Sequence, residues 1–451
     1  MEGIQTVSLA PQELAELIAR VRAALPELNR MDELADVRYD DPNARERYRD
    51  ALEGRLPGVT VSDEAAADGA DPTELAALFA AAKSRLARSA VLHVYKAARA
   101  AVQDERYSAT EREALWQVLE DIRGRERAKF GAVHDVVGSP QDPDRWIYAY
   151  ENGPMVREVT VKSRRPNGRP LEIVQFSDTH YNLCNERDLA EADPALMSTL
   201  EHRLWHANGD SAPSVERAFS YAAMSDQTVI TGDILDYLSW GGQELTVRQL
   251  FWRDRDLLAA IGGHDVTREM QGTVADPSSL ESRLDILRAF WCNDISYASR
   301  LLGDRVILSV MDNGSTGRYS EAQYQSLQAD IAYAREHDLI LLIFQHEPIC
   351  TCNPAETNVD YVRPNDTSGS RNFCHDCIGG DWTRKQHEEW TLRTHQLIRE
   401  SADVIRGVFC GHWHSDLYTE ILGTDGAVIP QYILTAAVYD GMGHVMKITV
   451  D

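Results

Sequence analysis

The segment Leu171–Phe176 (LEIVQF) reads as a buried strand, carried by apolar and β-branched residues, and it runs almost directly into Asp178-Thr179-His180. A strand of this kind, with its polar residues gathered beyond its C-terminal end, constrains the chain toward an open α/β sheet, where ligand sites collect at strand exits. A carboxylate and an imidazole two residues apart at such an exit can face one cation. One D-x-H triplet is weak evidence in an acidic chain of 451 residues, and the series that follows it narrows the reading. Residues 228–231 end in Gly232-Asp233-Ile234-Leu235-Asp236, and residues 257–261 in Gly262-Gly263-His264-Asp265. Residues 339–344 end in Gln345-His346-Glu347-Pro348, and residues 407–410 in Gly411-His412-Trp413-His414. Every one of these exits presents Asp or His, several beside a glycine that lets backbone and ligand come close. Mixed carboxylate and imidazole donors suit zinc, manganese or iron.

The remaining chain reads as follows. Leu14, Leu17, Ile18, Val21 and Leu25 fall at helical spacing, and Pro11 suits a first turn. Capping signals open further helices at Asp71-Pro72-Thr73-Glu74 and at Ser108-Ala109-Thr110-Glu111. Residues 40–72 are rich in Asp, Gly and Pro and read as loop. Residues 1–135 are therefore expected to form a helical accessory region, a place for a protein partner or for self-association. Aromatic and β-branched runs at 146–150 and 156–161, with Gly153-Pro154 between them, read as a hairpin within a joining segment, 136–170. The main domain is expected over 171–451. Further strands are read at 305–310, 431–435 and His444–Val450, and a capped helix at Ser320-Glu321-Ala322-Gln323.

A net charge of −25 argues against a nucleic acid or an anionic membrane as partner, while a small anionic substrate fits if cations reverse the local sign. No apolar run approaches the ~20 residues of a membrane span, and no secretory signal is recognised at the N-terminus. The seven cysteines are too few and odd in number for a secreted disulfide framework, so the expected location is cytoplasmic. Cys350, Cys352, Cys374 and Cys377 are candidates for a structural zinc, although the first pair is spaced more tightly than usual. Cys184, Cys292 and Cys410 read as buried or incidental, and His93, His134, His375 and His387 as packed or surface residues.

The ordered series D-x-H, G-D-x-x-D, G-x-H-D, a lone His and G-H-x-H resembles the calcineurin-like metallophosphoesterase superfamily over roughly residues 171–451. The resemblance implies a two-sheet α/β/β/α sandwich with two divalent metal ions, Mn, Fe or Zn, at the strand ends. Carried over position by position, it places Asp178, His180 and His414 on one metal, His346 and His412 on the second, and Asp233 between them. It implies hydrolysis of a small phosphomonoester or phosphodiester by a metal-bound hydroxide. His264 would orient phosphate or protonate the leaving group, with Asp265 holding its ring. The D-x-H and G-D-x-x-D motifs lean toward the diesterase and nuclease side of the superfamily, but a nuclease fits poorly with the charge. One position departs from the pattern. The family's asparagine, a ligand of the second metal, is Gly263 here, with Asn182 and Asp236 as candidate replacements. The glycine is accounted for by a positive φ or by room for a bulky substrate. The departure also motivates a third reading, a catalytically weak relative that acts as a binding or scaffold protein.

Overall fold

A computed structural model describes residues 95, 96, 99, 102, 108–136, 146–165, 169–181, 212–251, 253, 254, 256–268, 278–349, 389–438 and 443–451. Contacts divide the chain into two units, Met1–Gly124 with Trp252–Arg255, and Arg125–Phe251 with Asp256–Asp451. In the first unit, Lys96 forms a buried ion pair with Asp254, and Arg99 lies over the Trp116 ring. Its best described element is helix α1 (Ala109–Ala128), whose last turn belongs to the second unit. The expected capping box opens it: Glu111 N donates to Ser108 Oγ at 3.3 Å, and Ser108 N donates back to Glu111 Oε2 at 2.9 Å. Leu115, Leu119 and Ile122 form its buried stripe.

The second unit is built on two mixed sheets. The larger orders its strands β1 (Val133–Val136), β2 (Trp146–Tyr150), β3 (Met155–Val161), β13 (His444–Val450), β4 (Leu171–Phe176), β5 (Gln227–Thr231) and β6 (Leu258–Ala260). The smaller orders β11 (Leu417–Leu422), β12 (Val428–Ile433), β10 (Ile405–Cys410), β9 (Ile340–Gln345), β8 (Val306–Met311) and β7 (Tyr297–Leu302). The expected hairpin is present as β2 and β3, and it is built into the larger sheet, where β3 pairs in parallel with the C-terminal strand β13. Strands β1, β7 and β11 add to those expected from the sequence. The described residues of this unit also include helices α2 (Ala212–Ala222), α3 (Trp240–Thr246), α4 (Leu280–Arg288), α5 (Glu321–Glu336) and α6 (Glu389–Arg399).

Alternation along β9 shows why both faces of the smaller sheet are covered. Ile340, Leu342 and Phe344 join Ile173, Val229, Leu258, Leu308, Val310 and Ile448 in the core between the sheets. Leu341 and Ile343 point the other way, into a second core with Leu327 and Ile331 of α5 and Leu397 and Ile398 of α6. Helix α2 packs on β4 and β13, on the larger sheet. The two-sheet α/β/β/α sandwich expected from the sequence is therefore the fold of this unit. Each leucine or isoleucine fully buried in it contributes on the order of 1.5–3 kcal/mol. Among the described residues, no helix is long and apolar enough to cross a membrane.

Candidate metal centre

Strands β4, β5 and β6 run in parallel in one sheet, as do β8, β9, β10 and β12 in the other. Their exits meet: His412 N donates to Asp178 Oδ2 at 3.0 Å, and Gly411 N donates to His346 O at 3.0 Å. Among the described residues, non-glycine positive φ occurs at Asp178, His180, Asp233, His412 and His414, and otherwise only at Asp338. Asp and His tolerate this left-handed region better than most residues, yet each such turn costs on the order of 1–3 kcal/mol. Five such residues at three adjoining strand exits need firm support. Asp178 N and His180 N supply part of it by donating to Gly232 O and Asp233 O, each at 3.0 Å. A side chain at Gly411 or Gly262 would overlap Asp178 or Asp233, so both positions require glycine.

Two groups of donors result. In the first, His180 Nε2 lies 3.0 Å from His414 Nε2, and His414 Nε2 lies 3.2 Å from Asp178 Oδ1. In the second, His346 Nε2 lies 3.1 Å from Asp233 Oδ2 and 3.2 Å from His412 Nδ1. Asp233 stands between them, because its Oδ2 is also 4.0 Å from His180 Nε2. Its other oxygen accepts from His264 N at 2.9 Å, which fixes the carboxylate plane. His180, Asp233 and His264 form a third, overlapping set of candidate donors.

The rings are held from behind. His346 Nδ1 is 2.8 Å from Thr231 O, an acceptor only, so Nδ1 carries the hydrogen and Nε2 turns a lone pair inward. His180 Nδ1 is 3.1 Å from Asp236 Oδ1, with the same consequence for its Nε2. Two imidazole nitrogens at 3.0 Å, as on His180 and His414, need a proton or a cation between them. The electrostatics agree. Burial opposes a charge on Asp178, but the facing His414 outweighs it and holds the carboxyl at about 2. Burial likewise opposes a charged His346, and Asp233 overrides it and holds that ring up at about 10, so its inward Nε2 is strongly basic and takes up either a proton or a cation. Burial, and then the charge of His346, push His412 down to about 3. The donor set thus suits a divalent cation in each group.

Some expectations are corrected here. Asp265 does not hold the His264 ring: its oxygens accept from Leu235 N at 2.8 Å and Gly262 N at 2.7 Å, tying the β5 and β6 exits together. The His264 ring is held by Asp236, whose carbonyl accepts from Nδ1 at 2.7 Å. Asp236 also does not stand in for the family's asparagine, because its carboxylate lies behind His180 and not beside His346. Gly263 has φ −62°, so no left-handed turn requires it. Asn182 and the four cysteines 350, 352, 374 and 377 lie outside the described residues, as do His93, Cys184, His375 and His387. His134 is exposed, Cys410 is buried and Cys292 is half-buried. Tyr237, which carried no sequence signal, stands edge-on to His264 with ring centroids 5.0 Å apart.

No profile of a known protein family matches the chain, and no curated protein does. Solved structures similar to it include a dimetal phosphatase from Danio rerio, at 13% identity and a TM-score of 0.29, covering 59% of this chain and 88% of that one. A Staphylococcus aureus protein named as a putative 5′-nucleotidase has 10% identity and a TM-score of 0.32, covering 60% of this chain and 49% of that one. PhoD has 11% identity and a TM-score of 0.33, covering 65% of this chain and 62% of that one. The chain thus spans about half and about three-fifths of the last two. Likeness at this level carries no argument about the site.

Proposed function

We propose that the chain is a metal-dependent phosphoester hydrolase of the calcineurin-like kind, acting on a small phosphomonoester or phosphodiester at a dinuclear site. The observation that carries this reading is the pair of inward-facing imidazole nitrogens, on His180 and His346, set on either side of Asp233 Oδ2. Asp178, His180 and His414 would hold one cation, His346 and His412 the other, and Asp233 both. Bound there, the cations would supply Lewis acidity toward phosphoryl oxygens and a water nucleophile at neutral pH.

The protein's own groups shape the rest. His264 is 31% exposed at its side chain, so it can meet a substrate that Asp236 and His346, both buried, cannot. Its Nδ1 hydrogen is committed to Asp236 O, so Nε2 carries a hydrogen only in the charged ring: the imidazolium would donate to a phosphoryl oxygen or the leaving group, and the neutral ring would accept a proton there. Burial pushes this imidazole below its usual value, so the neutral, accepting form prevails near pH 7 and the donating form gains as pH falls. A manganese-supplemented screen of monoesters, diesters and cyclic nucleotides, with Asp233→Asn as the blank, tests the proposal. Turnover that chelation and the substitution both abolish is the expected result. A protein that neither binds manganese nor turns over any of these esters would overturn it.

A further inference from the structure

His346 differs from the other five residues assigned above to the two cations. It lacks the positive φ that turns each of the others out of its strand. Its direction must be set in another way, and the segment just after it shows how. Beyond β9 the chain runs His346-Glu347-Pro348-Ile349, and side-chain amides pair with its backbone. Glu347 N donates to Asn313 Oδ1 at 3.0 Å, and Asn313 Nδ2 donates to Glu347 O at 2.8 Å. Gln345 Nε2 also donates to Glu347 O, at 2.6 Å, while its Oε1 accepts from Tyr319 OH at 2.9 Å. Two residues on, Ile349 N donates to Gln431 Oε1 at 2.7 Å, and Gln431 Nε2 donates to Ile349 O at 3.0 Å. All three amides are fully buried.

A primary amide offers a donor and an acceptor much as a peptide unit does, so it can extend a strand ladder where no strand continues. The register of β8 against β9 ends at Met311↔Gln345, and Asn313 takes up the pairing two residues later. We propose that Asn313, backed by Gln345 and Gln431, is a positioning residue for His346. It replaces the left-handed turn that aims the other ligands, and so sets how well the second group holds its cation. The inference rests on the metal-site reading above.

A neighbouring amide provides the comparison. Asn293 pairs with the backbone of β6 in the same manner, accepting from Ala259 N at 2.7 Å and donating to Ala259 O at 3.1 Å, but it is not next to a candidate ligand. The experiment titrates manganese alone into the full, chelator-stripped chain by calorimetry, for wild type, Asn313→Ala, Asn313→Ser, His346→Ala and Asn293→Ala. Melting temperatures are measured with and without manganese. His346→Ala identifies the binding event of the second group. Asn313→Ala is expected to weaken that same event by about 10–100-fold and leave the other within about twofold, as loss of a ligand's supporting contact does. Asn313→Ser, a milder change that cannot bridge both Glu347 groups, should show the same bias to a smaller degree. Asn293→Ala should lower the melting temperature and leave both events unchanged. An Asn313→Ser protein with the profile of Asn293→Ala would overturn the positioning role. A wild-type chain that binds no manganese would overturn the metal-site reading, and the positioning role with it.

Discussion

The two donor groups share Asp233 and use the same residue types, yet they are supported differently. Behind His180 stands a carboxylate, Asp236, with its Oδ1 3.1 Å from the ring. Behind His346 stands a carbonyl, Thr231 O, at 2.8 Å. A carboxylate behind an imidazole raises its basicity more than a neutral carbonyl does. Where the resemblance would place an asparagine ligand for the second cation, Gly263 has no side chain. The first group also has one more donor, the carboxylate of Asp178, so donor count and what lies behind the rings point the same way. The expectation is one tighter cation, in the group with Asp178, His180 and His414, and one weaker.

Loss of the shared residue should disable both groups at once. Asp233→Asn should release both cations at micromolar manganese and bring hydrolysis to background, because one carboxylate serves both groups and the neighbouring imidazoles are tuned to its charge. Metal analysis after dialysis checks this, and full metal retention would refute the bridging assignment. Asp236→Ala should separate the two groups. It should weaken the first cation about 10–100-fold and spare the second. Asp236→Asn can still accept from His180 Nδ1 and should lose less. Both variants keep the carbonyl that holds His264 but remove the carboxylate charge 3.6 Å from its Nδ1, so the His264 limb of a pH profile should move to lower pH, and an unmoved limb would count against this account.

Much of this site was legible in the sequence, because a strand exit is a local event: an apolar run stops and Asp or His follows. Strand β4 and its D-x-H sequence could be read from ten residues. What failed was reading partners from adjacency. Asp265 follows His264 in a short 3₁₀ turn, where consecutive side chains point apart, and the partner of His264 came from Asp236 on another exit. The amides at 313, 345 and 431 carry no pattern, since their function exists only across strands distant in sequence. The place of β3 was hidden for the same reason: its neighbour β13 lies nearly at the other end of the chain.

Gly263 bears directly on the weaker cation. The residue has φ −62° and ψ −38°, a conformation open to any L residue. A Cβ there would meet only Gly314 O, at 3.5 Å, an ordinary contact. Asparagine should therefore be accepted without strain, and the loss of glycine freedom in the unfolded chain should add about 0.4–1 kcal/mol of stability. If its amide oxygen reaches the second cation, manganese affinity there should rise by up to about tenfold, a modest gain expected of one neutral ligand replacing water. The first cation should bind within about twofold of wild type, so the gap between the two should narrow. Activity then separates the two reasons for a glycine. Turnover that rises at low manganese shows that occupancy of the second site was limiting. Tighter manganese with lower turnover shows that the space at Gly263 serves the substrate. Equal, tight binding of two cations by the unmodified chain would refute the asymmetry, because a residue other than asparagine would already complete the second group.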